Sequence, residues 1–316
     1  MISRRLLRIK ILQICYAYLK SHGQSLTQAE KELFFSIQKS YDLYHYLLLL
    51  IIDIVKYAQS RIELSSQKRI PTNEDLNPNT KFIDNKLVKQ LEENKQLTKY
   101  LNDNKLSWVN YPELIKNLYL EIKGSEFYQN YMNSEQPSYK EDKKFIIDLY
   151  SKIIIIHEPL HQNLEEQSIY WNDDMEFVTG MIIKTLKSFN ASSDESEQLM
   201  PLFKNEDDKD FVKQLFRKTI LKHNEYQQLI ADSIKNWDIE RVAFIDIVVM
   251  VLAISELIEF NEIPVKVTLD EYIEIAKFYS TQKSNVFING ILDKIVADLK
   301  KEGKIKKSGR GLIGEI

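Results

Sequence analysis

The chain has 316 residues, of which 44% are hydrophobic, 28% charged and 11% aromatic. This composition is typical of a soluble globular protein, and the length predicts about two structural units. Only 8 glycines and 7 prolines are present, whereas a β-sandwich, a barrel or a doubly wound sheet needs many turn-forming residues. The composition therefore predicts an all-α fold before any periodicity is considered.

Cysteine content and hydropathy predict a cytoplasmic protein. Cys15 is the single cysteine, so an internal disulfide is excluded. The start of the chain lacks the uninterrupted apolar stretch and the small-residue cleavage site of a signal peptide. The longest apolar run is 47–52, which falls far short of the roughly 20 residues that span a membrane. We therefore expect no membrane contact.

Basic residues are concentrated at both ends of a chain whose net charge is −3. The first twenty residues contain no acid and five cations: Arg4, Arg5, Arg8, Lys10 and Lys20. The segment 300–316 adds lysines and an arginine with few acids among them. Such an asymmetry is associated with polyanionic partners.

Apolar periodicity predicts two long helices within 1–60. The first covers about 3–21 and is apolar nearly all round, which places it in the centre of a bundle. Gly23 ends it, because glycine tolerates the left-handed conformation after a helix. The second helix begins at a capping box of Thr27 and Glu30 and runs to about Gln59.

The segment 61–190 is predicted to be a helical insert. Its first part, 64–82, is polar and contains Pro71 and Pro78, which indicates a linker. Helical patterns follow near 84–104, 112–131 and 139–156.

The segment 191–302 carries the most regular helical patterns. We expect one helix over about 208–236 and a buried one over about 239–260. Thr268 and Glu271 form a second capping box for a helix that ends near Tyr279, and a last helix runs over about 284–301. The basic tail, 303–316, has no apolar period and is expected to be disordered.

The string from His157 to His161 matches the H-E-x-x-H pattern of zinc hydrolases, in which two imidazoles on one helical face bind the metal. Pro159 opposes this interpretation, because proline disfavours helical geometry at Glu158 and belongs in a first helical turn. No third ligand is evident. We interpret the match as chance and predict no metal, no cofactor and no catalytic residue.

Arg4, Arg5 and Arg8 form a cluster at the start of the first helix. They fall within about 100° of one another around the helix axis. They also lie at the positive end of the helix macrodipole, where a cation is disfavoured by about 0.3–1 kcal/mol, and no acid lies within a turn to pair with them. An ordinary solvated face is the alternative, but the placement favours contact with the phosphates of RNA or DNA.

The start of the last helix is a second candidate surface. Gly290 inside this helix costs about 1 kcal/mol relative to alanine, which a close approach of another helix would justify. Phe287, near Lys283, is placed either to stack on a base or to pack in the core. The sequence alone favours neither alternative.

These residues together resemble the NusB family of transcription antitermination factors. The strings that carry the resemblance are 263–267, 270–277 and 287–294, then 237–241 with Asp246 and 255–257 on the buried helix, and 4–16 at the start of the chain. Their order and spacing agree over about 3–20 and 208–297. The combination is specific, whereas no single string is.

The resemblance implies a non-enzymatic all-α protein of two packed helical sub-bundles. Family members bind the boxA element of nascent ribosomal RNA transcripts together with a small-subunit ribosomal protein, NusE. They join other Nus factors on RNA polymerase and suppress premature termination. Carried over by motif, Arg4, Arg5, Arg8, Lys283 and Phe287 would contact RNA. Tyr16 and Asp246 would face the ribosomal protein.

The chain departs from the family pattern in two places. Family members are commonly less than half this length, so the function of the insert does not follow from the resemblance. The short form also has a basic residue after the acid on the buried helix, where this chain has Ile247 after Asp246.

Two other classes of protein remain as alternatives. A helical interaction scaffold without RNA binding would use the insert to bind protein. An enzyme would be either the zinc hydrolase considered above or an RNA cytosine methyltransferase, which needs glycine-rich and cysteine motifs that this chain lacks.

Overall fold

A computed structural model describes residues 2–21, 23–134, 137–234, 241–281 and 284–314. Within these ranges the regular structure consists of α-helices and short 3₁₀ turns, without strands, which confirms the predicted all-α fold. No helix in the described ranges combines the length and the apolar character needed to cross a membrane.

The chain divides into two compact units. The central unit consists of Gln38–Leu202 with Met1–Ile2, and the terminal unit consists of Ser3–Ile37 and Phe203–Ile316. The sequence places the start of the insert near residue 61 and its end near 190. In the structure the central unit begins 23 residues earlier, inside the second helix, and ends after Leu202.

The helices of the terminal unit lie at both ends of the chain. They are α1 (Arg4–Lys20), the first part of α2 (Leu26–Ser66), α11 (Glu206–Leu221), α12 (His223–Ser233), α13 (Phe244–Glu259), α14 (Val265–Tyr279) and α15 (Ser284–Lys301). The predicted single helix over 208–236 is divided at Lys222. The part of the prediction that concerns 237–240 lies outside the described residues.

Two buried helices organise the core of the terminal unit. In α1, Leu6, Leu7, Ile11 and Cys15 are fully buried, which confirms the prediction of a helix that is apolar nearly all round. In α13, every residue from Asp246 to Leu257 is buried, and this helix packs against α11, α12, α14 and α15.

Neither predicted capping box is formed: α2 has a reciprocal pair at other residues, and α14 begins without a side-chain cap. At the start of α2, Ser25 and Gln28 form the reciprocal pair, each side-chain oxygen accepting from the backbone N–H of the other residue. Helix α14 begins at Val265 after Pro264, so Thr268 is inside the helix. A sequence pattern for capping therefore identified the region of each start but not the residues.

The central unit contains the rest of α2 and the helices between the two parts of the terminal unit. They are α3 (Asn73–Leu76), α4 (Lys86–Glu93), α5 (Lys95–Asn104), α6 (Pro112–Gly124), α7 (Glu126–Met132), α8 (Tyr139–Lys152), α9 (Glu158–Gln167) and α10 (Met175–Ser188). Asn94 and Ser125 divide the predicted helices near 84–104 and 112–131, because each caps the helix that follows it.

Aromatic side chains of α2 form the centre of the central unit. Tyr46 stacks on Trp108 at a centroid distance of 3.8 Å, and the indole N–H donates to the Tyr46 carbonyl oxygen. Tyr150 is fully buried and donates to the Leu47 carbonyl oxygen. The buried phenols and indoles thus find acceptors on the backbone of α2.

The structure differs from the expectation of a disordered tail after Gly303. Lys307 Nζ donates to the carbonyl oxygens of Leu257 and Phe260, and the Ser308 N–H donates to Asn261 O. Ile305 packs beside Leu257. The last carbonyl oxygens of a helix have no partner within the helix, and Lys307 donates to two of them at the end of α13. Because this contact is tertiary, it produces no apolar period in the tail sequence from which order could be predicted.

Candidate nucleic-acid interface

Each of the three arginines at the start of α1 is paired with a carboxylate from another helix of the terminal unit. Arg4 Nε lies 2.9 Å from Asp208 Oδ1 on α11. Arg5 donates through Nε and Nη2 to both oxygens of Glu271 on α14, at 2.9 and 2.8 Å. The prediction of a cluster without paired acids is therefore wrong. The pairing was not predicted because the acids lie more than 200 residues away in sequence.

Arg8 occupies a buried site. Its Nε and Nη2 each donate to an oxygen of Glu256 at 2.8 Å, and the two side chains are 3% and 0% exposed. Thr268 and Tyr272 donate to the same carboxylate at 2.9 and 3.2 Å. Burial alone would lower the pKa of Arg8, but the charge and hydrogen bonds of Glu256 raise this pKa above its ordinary value. Arg8 thus links α1 to α13 and presents no surface to solvent.

Arg4 and Arg5 remain accessible at the start of α1, with side chains 43% and 38% exposed. The ion pair of Arg4 with Asp208 uses Nε, and that of Arg5 with Glu271 uses Nε and Nη2. A guanidinium has five N–H donors, so each retains donors beyond those in its ion pair. The hydrogen bond with Glu271 raises the pKa of Arg5, although burial opposes the shift. We call Arg4 and Arg5 the arginine edge.

The second predicted RNA patch is only partly described. Phe287 lies half-buried in the first turn of α15, beside Val286, which is 74% exposed. Lys283 lies outside the described residues. Gly290 is exposed, and a Cβ added there would have nothing within 4 Å. The expectation that Gly290 permits a close approach of another helix is therefore wrong.

The two predicted partner residues lie near the start of α13. Tyr16 is 38% exposed and contacts the ring of Phe244 edge-on, at a centroid distance of 5.2 Å. Lys20 Nζ lies 4.2 Å from the centre of the same ring. Asp246 is 4% exposed, and within the described part of the chain its Oδ1 has no hydrogen-bond partner. Phe244 was not predicted for this surface, and Lys20 was predicted only as one of the N-terminal cations. Their positions two residues before Asp246 and four after Tyr16 could have indicated both.

The H-E-x-x-H string has a structural role at the start of α9. His157 is the N-cap residue, and its Nδ1 accepts the backbone N–H of Leu160 at 3.1 Å. Pro159 occupies the first turn, as its backbone preference predicts. His161 Nε2 contacts the Ile155 carbonyl oxygen at 2.9 Å. Among the described residues no group of three or more histidine, cysteine, aspartate or glutamate side chains is arranged to hold a metal ion.

The fold and the arginine edge describe an all-α protein built around a basic first helix and a buried α13. The sequence model of the NusB family matches residues 179–297. This range includes α11 to α14 and most of α15, and the charged residues Asp208, Glu256 and Glu271 lie within it.

Curated relatives extend this match. A protein of Salinibacter ruber (strain DSM 13855 / M31) is 40% identical over 139 residues, which cover 42% of this chain and 87% of the relative. A protein of Chloroherpeton thalassium (strain ATCC 35110 / GB-78) is 42% identical over 105 residues, 33% of this chain and 50% of the relative. A protein of Methylacidiphilum infernorum (isolate V4) is 40% identical over 92 residues, which cover 29% of this chain and 64% of the relative.

All three relatives carry the name transcription antitermination protein NusB. The chain belongs to the NusB family, as the sequence motifs indicate. The matched segments span about half to two thirds of the second and third relatives. No solved structure matches the chain.

Proposed function

We propose that this protein is a transcription antitermination factor that binds boxA-type single-stranded RNA of ribosomal RNA transcripts. It does so together with the small-subunit ribosomal protein NusE. The complex joins other Nus factors on RNA polymerase and suppresses premature termination. The observation that carries the proposal is the arginine edge, two half-exposed guanidinium groups fixed at the start of a buried helix.

The carboxylates of the arginine edge orient the guanidinium groups and leave donors for phosphate. Asp208 is almost buried behind Arg4, at 7% exposure, so it holds Nε from the protein side. Arg–phosphate contacts depend on geometry as well as charge. A side chain held in one orientation loses less conformational entropy when RNA binds. The negative charge of the same carboxylates repels phosphate and opposes this advantage.

The roles proposed for the three arginines are not the same. Arg4 and Arg5 contact RNA phosphates and bases. Arg8 fixes the position of α1 through Glu256, because its guanidinium is buried and both of its donating nitrogens are occupied by that carboxylate. Phe287, with Lys283, forms the second RNA contact by stacking of the ring on a base.

The proposed contact with NusE uses the surface around Tyr16. The exposed Tyr16 ring, Phe244 and the ammonium group of Lys20 form a mixed aromatic and cationic surface. Aromatic rings are enriched at the centres of protein interfaces. Asp246 follows Phe244 by two residues and is buried, so its Oδ1 would accept from NusE only if the start of α13 moved to expose it.

The experiment is a titration of labelled boxA-type RNA with the full chain, with and without NusE, at several salt concentrations. Arg4→Gln with Arg5→Gln should weaken binding and reduce the log–log salt slope by about 1.4, since single strands contribute about 0.7 per phosphate contact. Arg4→Lys with Arg5→Lys should keep most of that slope.

The matched control is Lys31→Gln with Lys213→Gln, which removes the same charge from exposed positions of the terminal unit. Affinity equal to that of the control would reject the arginine edge as the RNA site. Absence of RNA binding by the unmodified protein with NusE would favour the interaction scaffold instead.

A further inference from the structure

A cavity of about 510 Å³ lies on the central unit, between the end of α2 and the helices α3, α6 and α7. Its volume is within the range of ligand sites in proteins. Arg61, Glu74, Tyr119, Lys123, Gln129 and Asn133 are among the residues that line it. We call it the insert cavity. The family match begins at residue 179, so it does not include this region.

Two cations of the insert cavity are not neutralised by a carboxylate. Arg61 and Lys123 are exposed, and neither forms an ion pair with any described residue. The neighbouring lysines differ: Lys68 pairs with Asp75 at 2.9 Å, and Lys116 pairs with Glu113 at 3.0 Å. The cavity is lined by Arg61 and Lys123 and by two carboxylates, Glu74 and Asp75. Because Asp75 is paired with Lys68 from outside the lining, the charges left over are those of Arg61, Lys123 and Glu74, an excess of one positive charge.

Tyrosine rings adjoin these cations. Tyr119 lines the cavity and contacts Tyr57 of α2 edge-on, at a centroid distance of 5.5 Å. Tyr119 and Arg61 both line the cavity, so the ring and the guanidinium border the same space. The half-buried Tyr57 is one helical turn before Arg61, so ring and cation share one face of α2.

The remaining polar groups suit a nucleotide better than a simple anion. Gln129 donates through Nε2 to the Lys123 carbonyl oxygen at 2.8 Å, which leaves its amide oxygen as an acceptor, and Asn133 carries a second amide. Amide groups match the donor and acceptor edges of a base. Glu74 is an acceptor, and a ribose 2′-hydroxyl is a donor that a carboxylate can bind. A free phosphate would use only the two cations.

We propose that the insert cavity binds a nucleotide of single-stranded RNA, with Arg61 and Lys123 on the phosphate and the tyrosine and amide side chains beside the base. The long form would thus hold RNA at a site additional to the arginine edge. This inference rests on the proposed function in one respect, namely that RNA is the ligand of the protein.

The test compares three labelled RNAs binding to the full chain with NusE: a minimal boxA-type RNA, the same RNA extended by about ten single-stranded nucleotides, and an oligouridylate of similar length. Arg61→Glu with Lys123→Glu should leave the minimal RNA unaffected. It should weaken binding of the extended RNA and the oligouridylate roughly tenfold and lower the salt slope, because two phosphate contacts are lost.

Lys140→Glu with Lys184→Glu is the matched control, since both lysines are exposed residues of the central unit that do not line the cavity. Folding of each variant is checked by circular dichroism and thermal unfolding; reversal of exposed, unpaired cations should change stability little. Tyr119→Phe, which keeps the ring and its packing, should keep affinity for the extended RNA.

The outcomes separate the two proposals. Equal binding of the extended RNA by the cavity variant and the control overturns the insert cavity as an RNA site. The proposal is also overturned if the cavity binds inorganic phosphate at millimolar concentration and does not bind RNA. Failure of the Arg4 and Arg5 variants to change binding of the minimal RNA overturns the arginine edge. The oligouridylate measures the insert cavity without boxA recognition.

Discussion

Arg8 and Glu256 form a bidentate ion pair inside the terminal unit, with both N···O distances at 2.8 Å and almost no solvent exposure of either side chain. This pair joins α1 to α13, and Thr268 and Tyr272 of α14 donate to the same carboxylate. Three helices from the two ends of the chain therefore meet at one carboxylate. The position of the arginine edge at the start of α1 depends on this contact.

Replacing Glu256 with Gln should destabilise the protein by about 3–5 kcal/mol, because Arg8 would lose its bidentate, buried counter-charge and keep only the more distant Glu271, at 3.5 Å. Urea unfolding followed by circular dichroism measures the change. Arg8→Met combined with Glu256→Met should cost less than either single change, since the pair is removed together. A loss below about 1 kcal/mol for Glu256→Gln would mean that the pair is not desolvated in solution.

The pH dependence of stability should contain a contribution from His45. This ring is fully buried, stacks on Tyr100 at a centroid distance of 3.6 Å and contacts the Tyr41 carbonyl oxygen through Nδ1. Burial lowers the pKa of His45 to about 4, from an ordinary value of 6.5. The unfolded chain therefore binds a proton at a higher pH than the folded one.

The contribution of His45 to the free energy of unfolding is fully present above pH 6.5. It should fall as the pH decreases toward 4, by roughly 3 kcal/mol in total. The measurement is the free energy of unfolding from urea titrations between pH 7.5 and 5. His45→Phe keeps the ring stack and should flatten the dependence between pH 6.5 and 5. Identical slopes for the variant and the unmodified protein would assign the pH dependence to other groups.

Gly290 is a position where stability can be gained. It lies in the interior of α15, is exposed, and has open space where a Cβ would be. Gly290→Ala should stabilise the protein by about 1 kcal/mol, because alanine loses less backbone entropy in a helix. Thermal unfolding measures it, and a destabilised variant would show that the glycine is required for a contact made in a different conformation.

The sequence identified the helices that consist of a single amphipathic or buried stretch. Helix α15 has the predicted bounds, and α14 ends at the predicted residue. It did not identify the divisions at Asn94, Ser125 and Lys222, because the apolar period continues across them. At Asn94 and Ser125 a side-chain cap begins a new helix, and at Lys222 the division has no side-chain cap.

The site was predicted less completely than the fold for a different reason. Sequence spacing predicts only those side-chain pairs that lie within one turn of the same helix. No acid lies within one turn of Arg4, Arg5 or Arg8. Asp208, Glu256 and Glu271 approach the arginines through tertiary packing, which leaves no local pattern. Likewise, the contacts of Lys307 with the end of α13 are tertiary, and its local sequence indicates only a polar tail.

Gly311 gives the opposite prediction from Gly290. It is buried in the C-terminal tail, and a Cβ there would overlap the backbone oxygen of Asn261. Gly311→Ala should therefore detach the tail from α13. Limited trypsin digestion should then cleave after Lys307 and Arg310 sooner than in the unmodified protein. Gly290→Ala is the control for the same digestion, because nothing lies within 4 Å of a Cβ at that position and its backbone φ is not positive. Equal cleavage rates for the three proteins would contradict a packed tail.

Glu271→Gln should change stability and RNA affinity in opposite directions. Glu271 holds Arg5 through two hydrogen bonds and lies 3.5 Å from Arg8 Nη1. Because Arg5 is 38% exposed, loss of this ion pair should cost at most about 1 kcal/mol in urea unfolding.

The same substitution removes a negative charge that repels an approaching phosphate and competes for the Arg5 donors. Affinity for boxA-type RNA at low salt should therefore increase by a few fold, and the increase should diminish as salt screens the carboxylate in the unmodified protein. A decrease in affinity would mean that orientation of Arg5 by Glu271 outweighs the repulsion, and no change at any salt concentration would place the RNA away from Arg5.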